Sequence, residues 1–189
     1  IVFDNLMRTW ESIRNLQEIR RPFKLVIGDV RDEALVKRLV REHRPEVIYH
    51  LAAQPSHRLA LTKPPVEYVT IDFLGTLFVL DAAREFGGRV VFSSSNKVYG
   101  HQPIPHSEDM PMKPEGPYGA AKAASENYCL QYSKYHDVSS VAVRFHHAIG
   151  PRCHSELVLP IFVEQALKNL PLVVNGRTAD GGIWESCAA

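Results

Sequence analysis

The sequence predicts an α/β fold, a doubly wound parallel sheet, and two observations predict it. Short apolar runs alternate with helical patterns along most of the 189 residues. The runs are continuous rather than alternating in polarity, as strands covered on both faces require. Right-handed crossovers then gather the strand C-terminal ends along one edge, where ligands bind in such sheets. That edge collects Asp4, Asp29, Ala52, Ser93–Ser95 and Phe145–His147.

The elements follow in order. Ile1–Phe3 is a β-branched and aromatic run ending in Asp4-Asn5, and Lys24–Asp29 is a second strand closed by Gly28-Asp29. Leu35, Val36, Leu39 and Val40 form the stripe of a helix over 32–43, which Pro45 stops. Glu46–Leu51 is a third strand, followed by the small pair Ala52-Ala53. Val66, Val69, Phe73, Leu77 and Leu80, three or four apart, mark a long helix over 65–86 that ends at Gly87-Gly88. Arg89–Ser94 is a fourth strand, and the Pro-rich stretch 100–117 is a loop, since proline cannot sit inside a sheet. An Ala-rich helix over 118–135 leads to a fifth strand, Ser140–Phe145. Past Gly150-Pro151 the alternation ends, giving a short helix near 158–169, a small strand at Leu172–Val174 and a Gly-rich tail without pattern. Two parts are therefore expected, 1–150 and 151–189. The first residues, without an initiator Met, already read as a buried strand, so the chain reads as a fragment.

Composition excludes several classes of function. Hydrophobic residues at 45% and charged residues at 23% are ordinary globular values. With 22 Lys+Arg against 21 Asp+Glu, the formal charge of +1 provides no basic field for nucleic acid. No apolar run reaches the roughly 18 residues of a membrane span, and the N-terminus lacks the pattern of a signal peptide. Cys129, Cys153 and Cys187 form no C-x-x-C pair, which argues against a disulfide framework and a cysteine zinc site. His146 and His147 are adjacent on a strand and point to opposite faces, so no metal site is expected. A cytoplasmic domain is the expectation.

Tyr118 and Lys122 carry the chemistry. At i and i+4 of one helix they share a face. An ammonium beside a phenol favours the phenolate, by about one to three pKa units for a close opposite charge, so Tyr118 is expected to act as a base near neutral pH. Ser95, at the end of its strand, can hydrogen-bond the same substrate oxygen.

The ordered set of segments resembles the extended short-chain dehydrogenase/reductase family, the nucleotide-sugar epimerases and dehydratases. It comprises Asp4-Asn5-Leu6, Gly28-Asp29-Val30-Arg31-Asp32 and His50-Leu51-Ala52-Ala53-Gln54, then Gly75-Thr76 and Ser93-Ser94-Ser95 with Val98-Tyr99-Gly100. Pro117-Tyr118-Gly119-Ala120-Ala121-Lys122 and Arg144-Phe145 leading to Gly150-Pro151-Arg152 complete it. The resemblance implies a Rossmann-like NAD-binding domain, incomplete at its N-terminus, and the start of a small C-terminal substrate domain. It implies that Asp4, with Asn5, holds the adenosine ribose, which favours NAD over NADP, and that Asp29 and Val30 border the adenine. Leu51, Ala52, Ala53, Ser93 and Phe145 complete the implied cofactor set, and Tyr118 and Lys122 also bind the nicotinamide ribose. Ser95, Tyr118 and Lys122 are the implied catalytic residues; Ser95, Asn96 and His147 are the implied substrate contacts. A homodimer through the helices at 65–86 and 118–135 is implied as well.

Departures from the family pattern narrow the reading. The Gly-rich phosphate turn expected ahead of Ile1 is not in the sequence, so NAD binding by this chain is expected to be poor. Asp72 stands where the family usually has Asn, and His146-His147 replaces the usual residues before the Gly-Pro step. The residues after Arg177 leave the pattern, as truncation or a shifted frame would make them. Ser95 is followed by Asn96-Lys97, where dehydratases place Asp-Glu; neither residue supplies the acid and base of an elimination. The implied activity is therefore a nucleotide-sugar epimerase of the UDP-glucose 4-epimerase kind. A CDP-paratose/tyvelose-type 2-epimerase, to which Asn96–Gly100 is similar, a 4,6-dehydratase and a non-catalytic interaction module are the alternatives.

Overall fold

The protein is described from a computed structural model that covers residues 1–7, 14, 16–54, 64–146, 148–150, 153, 158–177 and 183–188. These fall into two compact units, Ile1–His146 and His147–Ala189.

The first unit is a Rossmann-like α/β domain. Strand β1 (Val2–Asp4) pairs in parallel with β2 (Leu25–Ile27), Phe3 opposite Val26. Helix α1 (Glu33–His43) starts where Asp32 accepts the Leu35 N–H at 2.9 Å and ends at Arg44, whose φ is 42°. The cap satisfies an N-terminal amide that the helix leaves unpaired, and Val36 and Val40 on the buried stripe dock the helix. Strand β3 (Val47–His50) pairs in parallel with β4 (Arg89–Ser95), which pairs in parallel with β5 (Ser140–Phe145). Between β3 and β4 the chain is helical from residue 65 to 86, as α2 (Pro65–Tyr68), a π-helical stretch (Val69–Leu74) and α3 (Gly75–Phe86). Helix α4 (Gly116–Tyr135) precedes β5. Val79, Leu80, Val90 and Phe92 anchor the main core, with Leu80, Val90 and Phe92 sealed from solvent.

The sheet is not continuous. Among the described residues no ladder joins β1 to β3, and a cavity of about 740 Å³ lies between them, lined by Val2, Phe3, Val40, Ile48, His50 and others. In a parallel pair, successive residues present their backbone groups to opposite sides. Val2 and Asp4 bond to β2, so Phe3 turns its amide toward the cavity. Likewise Glu46 bonds across to Arg89, so Val47 and Tyr49 face the cavity from β3.

In the second unit, α5 (Val158–Leu167) is followed by β6 (Leu172–Arg177) and β7 (Ile183–Ala188), which pair antiparallel with Leu172 opposite Ala188. The tail expected to lack pattern thus contributes a strand. β-Branched and aromatic residues, Val173 and Val174 on one side and Ile183 and Trp184 on the other, outweigh the nearby glycines.

Candidate active site

The site is built where β4 and α4 meet. Ser95 ends β4 and its hydroxyl accepts the Lys97 N–H at 3.2 Å, capping the short 3-10 turn Asn96–Val98. Gly119 lets α4 approach that turn: a Cβ there would lie 2.8 Å from the Lys97 carbonyl oxygen. Pro117 in the first turn suits a helix start, and the small residues Gly119, Ala121 and Ala123 bring the helix close. Tyr118 is half-buried, packed edge-on against the sealed Tyr68 ring at 6.4 Å, and its phenol feels the Ser95 hydroxyl. One turn on, Lys122 is buried; its Nζ donates to the Ser93 carbonyl at 2.9 Å and lies 5.0 Å from the Phe92 ring centre.

The electrostatics differ from the expectation. Lys122 Nζ stands 5.8 Å from the centre of the Tyr118 ring, over its face, and 3.4 Å from Asp72 Oδ1. The ammonium is thus held by Asp72 and Ser93. Burial pushes the Tyr118 phenol above its ordinary value; the Ser95 hydrogen bond pulls it down, and the Asp72 charge pushes it up further. The phenol is held high rather than depressed, chiefly by burial, and the cation beside it already has a buried counter-ion. Burial in turn lowers Lys122 and raises Asp72, each opposed by the other's charge.

The strand-end residues assigned to a cofactor gather at the other side. Asp4, Asn5, Asp29, Val30, Leu51, Ala52 and Ala53 all line the cavity between β1 and β3. Asp4, part-buried, accepts the Leu6 N–H at 2.7 Å. A carboxylate suited to ribose hydroxyls and small alanines at a strand end, where backbone can approach a ligand closely, fit an adenosine group. Two of these residues are also engaged within the protein. Asp29 takes both Arg31 Nε and Arg31 N–H on Oδ1, at 2.8 and 2.9 Å, and Asn5 Nδ2 on Oδ2 at 3.0 Å. That guanidinium holds its carboxyl well below the usual range, so Asp29 serves first as an anchor for the loop after β2. Val30 is buried in the core against Gly75, where a Cβ would come within 2.7 Å of it. Ser93 holds Lys122 through its carbonyl, Phe145 is exposed opposite Ser95 at the end of β5, and Asn96 opens the 3-10 turn. His147 lies outside the described residues.

The profile of the NAD dependent epimerase/dehydratase family matches residues 2–182. The chain belongs to that family. It is 38% identical over 164 residues to a UDP-glucose 4-epimerase of Mycolicibacterium smegmatis, an alignment of 84% of this chain and 52% of that protein. It is 34% identical to a dTDP-glucose 4,6-dehydratase of an Actinoplanes species, over 87% of this chain and 52% of that one. The structure of a Thermus thermophilus UDP-glucose 4-epimerase in complex with NAD superposes with a TM-score of 0.78 at 33% identity, covering 90% of this chain and 55% of that one. The chain therefore spans about half the length of the relatives it matches. Among the described residues, no helix is long and apolar enough to cross a membrane.

Within this member of the family, the structure adds residues that sequence reading missed. Glu126, one turn beyond Lys122, is buried; Arg144 reaches it with Nε at 2.9 Å, and Ser94 Oγ donates to it at 2.7 Å. Arg144 also donates to the Tyr99 hydroxyl at 2.9 Å and the Glu108 carbonyl at 3.1 Å, tying α4, β4, β5 and the Pro-rich loop together. Gln54 donates its backbone N–H to Asp72 Oδ2 at 3.0 Å. Two charges buried four residues apart on one helix were the available signal, since each requires a partner.

Proposed function

We propose that this chain is the NAD-binding part, 1–150, and the beginning of the substrate part, 151–189, of a nucleotide-sugar epimerase of the UDP-glucose 4-epimerase kind. The carrying observation is the assembly of Ser95, Tyr118 and Lys122 on one wall, with Asn96 and Lys97 where an elimination would need an acid and a base. NAD, when bound, supplies reversible hydride exchange at the sugar carbon. Asp4 and the Ala52-Ala53 strand end hold the adenosine side. Tyr118 takes the proton of the sugar hydroxyl and later returns it. Ser95 donates a hydrogen bond to the same oxygen and fixes its position, and the Lys122 charge stabilises the Tyr118 phenolate that accepts the proton and that is restored when the proton is returned.

The upstream strand and Gly-rich turn that the family pattern implies belong in the cavity between β1 and β3, whose facing strand edges are unpaired with each other. A homodimer through the segments 65–86 and 118–135 is part of the same proposal. It would cover Val66, Val69, Tyr128 and Leu130, which are exposed on those helices. A cytoplasmic location completes it.

The test is a panel of UDP-, dTDP- and CDP-sugars offered with NAD to a chain extended by its upstream coding sequence, with products resolved by stereochemistry. Epimerised sugar is expected. Tyr118→Phe should lower turnover at least about 100-fold, the usual worth of a general base, while leaving the circular dichroism spectrum unchanged. A 4-keto-6-deoxy product would instead favour the dehydratase reading, which the Actinoplanes relative represents. Undiminished turnover in the variant would remove Tyr118 as the base.

A further inference from the structure

Asp72 is a carboxylate with no solvent exposure at all, set beside the buried Lys122 ammonium. It sits in the π-helical stretch Val69–Leu74, whose widened turn is braced from two sides: the Asp72 carbonyl accepts the Thr76 hydroxyl, and it accepts the Ser125 hydroxyl of α4 at 3.1 Å. Oδ2 takes the Gln54 N–H at 3.0 Å, whereas Oδ1 has no hydrogen-bond partner among the described residues and only the Lys122 ammonium, 3.4 Å away. A buried carboxylate oxygen left without a donor is costly, and among the described residues the neighbouring cation offsets it.

The surroundings make this pair the local arbiter of charge. From β3, His50 is held neutral, its pKa pushed down to about 3 by burial and then by the Lys122 charge; its Nε2 is 3.0 Å from Thr76 Oγ1. Tyr68 on α2 and Tyr118 on α4 both feel the Asp72 charge, and both phenols are raised, chiefly by burial. Glu67 is part-buried and meets Gln54 Nε2 at 3.2 Å. Glu126 is taken up by Arg144 and Ser94, and the Cys129 thiol, pushed up to about 12 by burial, stays neutral.

We propose that Asp72 is a positioning residue whose buried carboxylate seats the Lys122 ammonium against β4 and holds the first proton on the Tyr118–Lys122 pair. The two groups titrate as a unit, so the sign does not depend on which of them lets go first. Loss of either proton makes the wall more negative, and a fixed carboxylate at 3.4 Å from Lys122 opposes it in both cases. The resting pair is then phenol and ammonium, so Tyr118 reaches the phenolate that a base requires by releasing its own proton to solvent, and the Asp72 charge raises the pH at which it does so. This inference rests on the reading of Tyr118 as the base, but its test does not.

The test follows the Tyr118 and Lys122 carbon signals by NMR, with 13C-labelled tyrosine and lysine, through a pH titration of the chain and of its Asp72→Asn variant. Signals are assigned with Tyr118→Phe and Lys122→Met. Asn keeps the shape and removes the charge. The first proton lost by the pair should leave about one pH unit lower in Asp72→Asn, a tenfold gain in the deprotonated fraction at a given pH. Asp72→Ala provides a second variant, which should show the same shift if charge rather than shape sets it. An unchanged or raised midpoint in a folded variant overturns the inference, and so does failure of both variants to fold, which would make Asp72 a requirement of the fold alone. No sugar or NAD is needed, so failure of the epimerase reading leaves this result standing, and the reverse holds too.

Discussion

His50 shows how burial sets a charge state at a single residue. The ring is sealed in the core beside Phe92, 5.8 Å between centres, and its pKa is pushed down to about 3. Unfolded, the same imidazole titrates near 6.5. Above that value both states are neutral and His50 contributes no pH dependence. As pH falls from about 6.5 toward 3 the unfolded chain gains a proton that the folded one refuses, so stability is lost, at up to about 1.4 kcal/mol per pH unit. Urea unfolding of His50→Gln between pH 7 and 5 should show a shallower decline than the parent by about that slope; parallel curves would refute the assignment. Residue-level reading from sequence also has a limit at Tyr118. Spacing put it on one face with Lys122, and the ring–ammonium distance of 5.8 Å agrees with that. It did not foresee that Asp72, 46 positions earlier than Tyr118 in the chain, would claim the same ammonium.

Helix α4 carries most of the site, and its start is set by one close contact. Gly119 permits the approach to the Lys97 carbonyl that brings Tyr118 to Ser95. Gly119→Ala must push the helix and the 3-10 turn apart. Overpacking of this kind costs about 1–3 kcal/mol. Turnover of the extended protein should fall much further than the thermal midpoint, because a small displacement of a proton-transfer partner is magnified in rate. Equal turnover in the variant and its parent would show that the approach is not needed. Patterning located this helix to within two residues at its start, since Pro117 and the alanine-rich run are local signals. The stretch from 65 to 86 was legible as one long helix, but the π-helical turn within it was not. That turn is braced by Thr76 and by Ser125 from a different helix, a contact no local pattern encodes.

Across the whole first unit, the unjoined edges of β1 and β3 make a prediction for hydrogen exchange. The amides of Phe3, Val47 and Tyr49, which turn toward the cavity, should exchange far faster than those of Asp4, Ile48 and His50, which lie in ladders. Extension by an upstream strand should protect the first group and leave the second unchanged. Protection of Phe3 and Tyr49 in the present chain would mean that the two edges already close on each other.

By itself the sequence determined the order of strands and helices as far as β6, the family, and the two groups facing each other on α4, because periodicity, caps and i, i+4 spacing are local properties of the chain. Tertiary structure alone decided the charge states: which carboxylate meets Lys122, how Glu126 is satisfied by Arg144, and how far burial moves Tyr118 and His50. Those quantities depend on desolvation and on separations of a few ångströms between segments far apart in sequence, and Coulomb energy in a buried wall is steep over just that range.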